Sequence, residues 1–91
     1  MKNVDLIVPC YNEAEVLELF YDEASKTADA CPGYAFRFIF VDDGSRDDTL
    51  GVILKLEASD PKRVRYISFS RNFGKEAAML AGMKYSSGDY V

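Results

Sequence analysis

The stretch that decides the fold is residues 36–45, which read Phe36-Arg37-Phe38-Ile39-Phe40-Val41-Asp42-Asp43-Gly44-Ser45. A near-continuous apolar run, rich in aromatic and β-branched residues, predicts a strand that is buried on both faces. The run stops at two carboxylates, a glycine and a serine, which are residues of turns and helix starts. A buried strand followed at once by a helix is typical of an open α/β sheet.

The same pattern occurs before and after this stretch. Val4–Val8 predicts a first strand, also buried on two faces, and Val64–Phe69 predicts a third. Amphipathic helices are predicted between the strands and over about residues 74–85, and residues 89–91 indicate the start of a fourth strand. The order βαβαβα predicts an open, mainly parallel sheet with flanking helices, because right-handed crossovers join parallel strands.

Capping residues give the expected helix boundaries. Asn12 is the predicted N-cap of the first helix, and Pro32-Gly33 its end. Ser45 with Asp48 resembles a capping box for the second helix, and Gly88 is a predicted left-handed stop for the third.

Composition excludes several classes of protein. The 91 residues carry a net charge of −4, no histidine and no basic run, which argues against a nucleic-acid partner. Cys10 and Cys31 are isolated, as in a reducing compartment. No signal sequence and no apolar run of about 18 residues is present. We expect a cytoplasmic location, at the cytoplasmic face of the membrane if a longer parent protein carries an anchor.

Three loops carry the unusual polar residues, and each follows a predicted strand. Loop one is residues 9–13, loop two is residues 41–49 and loop three is residues 70–75. Because ligands of such sheets bind outside the carboxyl ends of the strands, the three loops are expected to form one site.

The side chains of loops one and two suit a nucleoside. The carboxylates of Asp42 and Asp43 can accept hydrogen bonds from uracil, guanine or ribose, although they could also serve only as turn and capping residues. Tyr11 offers a flat face for a base. Glu13 is either a ligand contact or a partner of the helix dipole.

Loop three adds two cations to this acidic rim. Arg71 and Lys75 beside a helix start suit a diphosphate, although both could simply balance the carboxylates through surface ion pairs. Acids at the mouth would repel a diphosphate unless a divalent cation intervenes, and the sequence has no recognisable site for that cation. Neither GxGxxG nor GxxxxGK[ST] is present, which argues against dinucleotide and P-loop proteins.

Three blocks, in the same order along the chain, resemble the family 2 glycosyltransferases of the GT-A fold, and most closely their polyprenyl-phosphate branch, which includes enzymes like dolichol-phosphate mannosyltransferase and bactoprenol glucosyltransferase. The blocks are Ile7-Val8-Pro9-Cys10-Tyr11-Asn12-Glu13, Val41-Asp42-Asp43-Gly44-Ser45 with Asp47 and Thr49 following, and Ser70-Arg71-Asn72-Phe73-Gly74-Lys75-Glu76-Ala77-Ala78. The resemblance implies that the chain is a single domain, 1–91, forming the Rossmann-like N-terminal nucleotide-binding half of that fold.

The resemblance also implies a nucleotide-sugar site. Pro9, Tyr11 and Glu13 would line the base and ribose pocket together with Asn12. Asp43, with Asp42 beside it, would contact the base or ribose, and Lys75, with Arg71 nearby, would lie close to the diphosphate.

The reaction implied for a full-length enzyme is the inverting transfer of a hexose from a UDP- or GDP-sugar to a polyprenyl phosphate or a glycan. Mg²⁺ or Mn²⁺ would be held by a DxD-like motif, which is absent from this chain. No catalytic residue is therefore predicted here, and the 91 residues alone are expected to be inactive. We expect self-association, because the truncated last strand would leave an unpaired, hydrophobic edge of the sheet.

Two other classes share part of the pattern. A receiver domain also has paired acids after an early strand, but it needs a third acid where the third strand here ends in Ser70-Arg71. A non-catalytic interaction module could keep the three loops for structural reasons.

Overall fold

The computed structural model describes residues 2–86 and 88, within which strands and helices alternate. They are β1 (Lys2–Cys10), α1 (Ala14–Asp29), β2 (Tyr34–Asp42), α2 (Thr49–Ser59), β3 (Val64–Ser68) and α3 (Lys75–Tyr85). The predicted order is confirmed. Residues 89–91, the predicted start of a fourth strand, lie outside the described residues.

The three strands form a parallel sheet in the order β1-β2-β3. Cys10 of β1 lies opposite Asp42 of β2, and Asp42 lies opposite Ser68 of β3. All three strands therefore end at the same level. This brings loops one, two and three together at the carboxyl end of the sheet.

Helices cover both faces of β2. Phe38 and Phe40 pack against α1 and α2, whereas Ile39 and Val41 pack against α3. None of the four side chains is exposed to solvent. Because successive residues of a strand point to opposite faces, this central strand is apolar throughout, and each buried side chain contributes about 1.5–3 kcal/mol.

The first strand is longer and less buried than predicted. Its pairing with β2 begins at Lys2, which lies opposite Tyr34. Within the described residues β1 pairs only with β2, and Leu6, on one face of β1, is 36% exposed. The prediction that β1 is buried on two faces is therefore wrong for this part of the structure.

The two predicted N-caps, Asn12 for α1 and Ser45 for α2, are wrong. Helix α1 begins at Ala14 with Glu13 at its N-cap, and Asn12 has a left-handed backbone, with φ of 53°. Helix α2 begins at Thr49 after Asp48, so Ser45 lies too early to cap it. Asn12 and Ser45 make hydrogen bonds between loops instead, as described below.

A buried ion pair lies toward the amino ends of β1 and β2 and was not predicted from the sequence. Asp5 is 1% exposed, and its carboxylate accepts hydrogen bonds from Nε and Nη2 of Arg37 at 3.0 and 2.9 Å. The Ser86 hydroxyl and the Gly88 backbone N–H also donate to Asp5, at 2.9 and 2.8 Å. Asp5 therefore ties the chain that leaves α3 to β1, and the hydrogen bonds to Asp5 raise the pKa of Arg37.

Candidate functional site

A cavity of about 200 Å³ opens at the carboxyl end of β1 and β2. Its lining comes from all three loops and consists of Pro9, Cys10, Tyr11, Glu13, Asp43 and Lys75. Five of the eight residues predicted to bind a ligand therefore meet at one place. Because pockets for whole small molecules usually measure about 300–1,000 Å³, this cavity is suited to one part of a nucleotide.

Asp43 joins loop two to loop three. Its side chain is 4% exposed, and its two carboxylate oxygens accept hydrogen bonds from the backbone N–H groups of Phe73, at 2.8 Å, and Gly74, at 3.0 Å. The side-chain amide of Asn72 donates to the same carboxylate at 3.1 Å and to the Asp43 carbonyl at 3.2 Å. The carboxylate thus lies between the cavity and the start of α3.

Gly44 lets the backbones of these two loops touch. Its φ is +69°, and a Cβ placed on it would lie 2.1 Å from the carbonyl carbon of Arg71 and 2.4 Å from the nitrogen of Asn72. Only glycine fits this position, both for its backbone conformation and for the space available.

Loops one and two are joined by hydrogen bonds between residues more than 30 positions apart. Their side chains cap each other's backbone N–H groups: Asn12 N to Ser45 Oγ at 2.9 Å, Arg46 N to Asn12 Oδ1 at 2.8 Å, Glu13 N to Thr49 Oγ1 at 2.9 Å and Ala14 N to Asp47 Oδ2 at 3.2 Å. The start of α1 is therefore capped by side chains of loop two, and both loops are held before any ligand arrives.

Three predicted site residues do not line the cavity. Asn12 makes the contacts between loops just described. Asp42 is 3% exposed, and its carboxylate accepts the backbone N–H of Ser45 at 3.2 Å. Arg71 stacks on the exposed ring of Phe73, with its guanidinium carbon 4.8 Å from the ring centre.

Cys10 lines the cavity but was not predicted as a site residue. It is 1% exposed, and its thiol lies 3.3 Å from the Val8 carbonyl oxygen. Burial raises the pKa of the thiol to about 12, and the negative charges of Glu13 and Asp42 add to the effect. The thiol therefore stays neutral near pH 7 and contributes apolar wall rather than a nucleophile. The sequence did hold one signal that Cys10 belongs to the site, namely its position between two predicted site residues, Pro9 and Tyr11.

The cavity combines three kinds of chemistry. Tyr11 is 40% exposed and lines the cavity, and an accessible aromatic ring can stack on a planar group. Glu13 and Asp43 accept hydrogen bonds, and Lys75, the first residue of α3, brings a positive charge to a helix start. A flat ring, acceptors and a cation at a helix N-terminus suit a ligand with a planar polar group and an anionic tail.

Residues 2–86 and 88 contain no metal-binding cluster and no helix that could cross a membrane. No group of three or more His, Cys, Asp or Glu side chains in this part of the chain could hold a metal ion. None of the helices described has the length and apolar character needed to cross a membrane.

The model of glycosyl transferase family 2 matches residues 5–91. A bactoprenol glucosyl transferase of Shigella phage SfV is 42% identical over 88 residues, which are 97% of this chain and 28% of that protein. An undecaprenyl-phosphate 4-deoxy-4-formamido-L-arabinose transferase of Pseudomonas fluorescens is 36% identical over 90 residues, 97% of this chain and 26% of that protein. The chain thus spans about a quarter of the length of these relatives.

The fold also matches a solved structure. A mannosyltransferase from Pyrobaculum calidifontis, in complex with GDP-mannose and Mn²⁺, superposes with a TM-score of 0.79 at 23% sequence identity. The match covers 94% of this chain and 25% of that one. The parallel sheet with helices on both faces is therefore the Rossmann-like part of a GT-A fold.

Proposed function

The chain belongs to glycosyl transferase family 2, and on that premise we propose that its 91 residues form the nucleotide-sugar-binding part of a longer, inverting glycosyltransferase. One observation carries this proposal: Tyr11, Asp43 and Lys75, from three different loops, line one cavity at the carboxyl end of the sheet. Ligands of open α/β sheets bind at that end.

Each side chain of the cavity has a role in the proposal, and Asp43 contacts the base or ribose. Tyr11 stacks on the base, and Glu13 accepts hydrogen bonds from the base or ribose. Pro9 and Cys10 form the apolar wall, and Lys75 attracts the diphosphate together with the N-terminus of α3. The cavity is lined by two carboxylates and one cation, so the diphosphate would lie on the Lys75 side, away from Glu13.

Asn12, Asp42 and Arg71 are given supporting roles. Asn12 and Asp42 hold loops one and two in shape through their hydrogen bonds. Arg71 is exposed on the rim beside Phe73 and adds positive charge near the path of the diphosphate.

The names of the relatives favour one class of acceptor. Two of them are named for transfer involving bactoprenol or undecaprenyl phosphate, so we propose a polyprenyl phosphate as the acceptor, with a glycan as the second choice. The donor is a UDP- or GDP-hexose. With a lipid acceptor, we propose that the longer protein works at the cytoplasmic face of a membrane.

A divalent cation belongs to the longer protein in this proposal. Mg²⁺ or Mn²⁺ would neutralise the departing nucleotide diphosphate. The described residues do not group the ligands that such an ion needs. We propose that a DxD-like motif of the longer protein, which the 91 residues lack, holds the ion, and we expect no sugar transfer by the 91 residues alone in a radiolabelled-sugar assay.

The proposal is tested by titrating the 91-residue protein with UDP and GDP while amide NMR spectra monitor binding. One of the two nucleotides is expected to shift the amides of loops one, two and three. Tyr11→Ala should weaken that binding by roughly 5- to 150-fold, since base stacking on an aromatic ring contributes about 1–3 kcal/mol.

Tyr34→Ala is the matched control, because Tyr34 is also exposed but is the first residue of β2, at the amino end of the strands and opposite the three loops. Equal losses in the two variants, or binding of neither nucleotide by the wild type, would contradict the proposal and favour a non-catalytic module.

The family match argues against a receiver domain. Incubation with acetyl phosphate and Mg²⁺ checks this, and we expect no phosphoryl adduct in the intact mass.

A further inference from the structure

We propose that the protein has a second ligand site, a cavity at the amino end of the sheet in which Lys62 and Arg65 bind a small phosphate-bearing anion. This amino-end cavity has a volume of about 260 Å³ and is also lined by Asp5 and Arg37. None of its lining residues belongs to loops one, two or three. The inference therefore goes beyond the proposed nucleotide site and does not depend on it.

The amino-end cavity lies far from the nucleotide cavity. Its wall includes Asn3 and Asp5 of β1, which lie opposite Ala35 and Arg37 of β2. Pro9, at the other end of β1, lines the nucleotide cavity. Since a strand rises about 3.3 Å per residue, Asn3 and Pro9 are roughly 20 Å apart. The two cavities therefore open at opposite ends of the sheet and take separate ligands.

The charge of the amino-end cavity is positive, although the whole chain has a net charge of −4. One acid, Asp5, and three bases, Arg37, Lys62 and Arg65, line it, which gives a formal charge of +2. Asp5 and Arg37 balance each other in their ion pair, with 2.9 Å between Oδ2 and Nη2. Lys62 and Arg65 form no ion pair with any residue among 2–86 and 88. Their two charges remain for a ligand.

Arg65 is held in place before a ligand arrives. Its Nη1 donates to the Val64 carbonyl at 3.1 Å and to the Pro61 carbonyl, and the residue is half-buried. A guanidinium has five N–H donors, and these two hydrogen bonds use Nη1 alone. The donors on Nε and Nη2 have no partner in the part of the chain that the structure describes. Such a pair of donors matches two oxygens of a phosphate.

The number of charges favours a phosphate over a carboxylate. Lys62 is exposed and adds a point charge to the donors of Arg65. A phosphate monoester carries about 1.5 to 2 negative charges at pH 7, which matches the two cations, whereas a carboxylate carries only one. Pockets for whole small molecules usually measure at least about 300 Å³, so this cavity is suited to the phosphate group and little more.

Titration of the 91-residue protein with inorganic phosphate, monitored by amide NMR spectra, tests the inference. Phosphate should shift the amides of residues 35–37 and 62–65, and acetate at the same ionic strength should shift them less. Lys62→Gln and Arg65→Gln should each weaken phosphate binding about tenfold, as expected for loss of a hydrogen bond to a charged group. Arg65→Lys should recover only part of the loss, because lysine keeps the charge but lacks the fixed fork of donors.

Two other lysines provide matched controls. Lys55 is exposed on α2, where it pairs with Glu18 outside the cavity, so Lys55→Gln should leave phosphate affinity at the wild-type value. Lys75→Gln removes the cation of the nucleotide cavity, and the phosphate shifts of residues 62–65 should persist in it. Failure of the proposed function and failure of this inference are therefore seen separately.

The phosphate group could belong to a soluble molecule or to a lipid headgroup. Sedimentation with phosphatidylcholine vesicles, prepared with and without phosphatidic acid, distinguishes the two sources. Binding that requires phosphatidic acid and is lost in Lys62→Gln, together with the phosphate shifts, identifies a headgroup. Phosphate shifts without vesicle binding identify a soluble ligand.

Three results would overturn the inference. They are unmoved amides at residues 62–65 in the presence of phosphate, equal shifts with phosphate and acetate, and an equal loss of phosphate affinity in Lys55→Gln and Lys62→Gln. Lys62→Gln also covers the case in which Arg65→Gln does not fold, since Lys62 is exposed and makes no hydrogen bond to a described residue.

Discussion

Cys10 and Cys31 are the same residue type in opposite environments. Cys10 is buried in the cavity wall with its pKa raised to about 12, whereas Cys31 is partly exposed after the end of α1. Because the thiolate is the reactive form, the two cysteines should react very differently with alkylating reagents.

We predict that iodoacetamide near pH 8 modifies Cys31 first and Cys10 only after unfolding in urea. Intact-mass measurement before and after denaturation should therefore show one adduct and then two. Cys31→Ser provides the control, since it should show no adduct until the protein is unfolded. Rapid modification of Cys10 in the native protein would contradict the burial described here.

Asp47 makes the junction of loops one and two sensitive to acid. Hydrogen bonding by the Thr49 hydroxyl is the main cause that lowers the pKa of Asp47 below its ordinary value of 3.8, and the backbone N–H groups of Thr49 and Ala14 add to it. A carboxyl with a lowered folded-state pKa stabilises the fold above its ordinary pKa, and this contribution is lost as pH falls through the folded value.

We predict that Asp47→Asn has a smaller loss of unfolding free energy than the wild type when pH falls from about 7 to about 3. Urea unfolding at the two pH values measures this difference. Asp48→Asn is the neighbouring control, because Asp48 is exposed and its side chain makes no capping hydrogen bond. If Asp47→Asn and the wild type lose the same stability, the hydrogen bonds of Asp47 do not favour its ionised form.

At the scale of elements, periodicity and turn residues were sufficient to find every helix and strand in the described part of the chain. The cap of α1 was predicted wrongly because its partners are not local, whereas the first N–H of α2 is bonded by Asp47, two residues away rather than at Ser45. Side chains of loop two satisfy the first N–H groups of α1 from positions 33 and 36 residues away in sequence. Capping rules that consider only near neighbours cannot find such partners.

The junction of loops two and three gives a prediction at this scale. Gly44→Ala should destabilise the protein by more than Gly33→Ala, although both glycines have positive φ, +69° and +89°. Backbone conformation costs each variant about 1–2 kcal/mol. Only Gly44 adds a clash with backbone, and overpacking costs a further 1–3 kcal/mol or so.

Urea unfolding of the two variants measures the difference. NMR should also show shifted amides in loop three for Gly44→Ala alone. Equal destabilisation by the two substitutions would mean that loop three can move away from loop two at little cost.

At the scale of the whole molecule, the described surface has an apolar region beside β1. Leu6 of the strand is 36% exposed, and Leu80 and Met83 of α3 are more than half exposed. A cavity between the strand and the helix is lined by Ile7, Met79 and Met83, among others. An open strand edge with apolar surface nearby favours pairing with another chain.

We therefore predict that the 91-residue protein self-associates through the β1 edge, with an apparent mass that rises with concentration in light scattering. Leu6→Lys should reduce the association, because a lysine on an edge strand opposes pairing. Leu54→Lys is the control: Leu54 is 40% exposed, but on α2, which packs against β2 and β3. A monomer at all concentrations, or equal effects of the two substitutions, would contradict the prediction.

Residue patterns by themselves determined the alternation of strands and helices, the parallel sheet and the end of the sheet at which three polar loops meet. These features follow from local periodicity and chain direction. Only the tertiary structure decided what each loop residue does. Asn12, Ser45 and Asp43 have their partners about 30 positions away, and nothing in the local sequence of a carboxylate tells whether it faces a ligand or a neighbouring loop. That choice depends on which backbone N–H groups packing leaves unpaired, and packing is a property of the assembled fold.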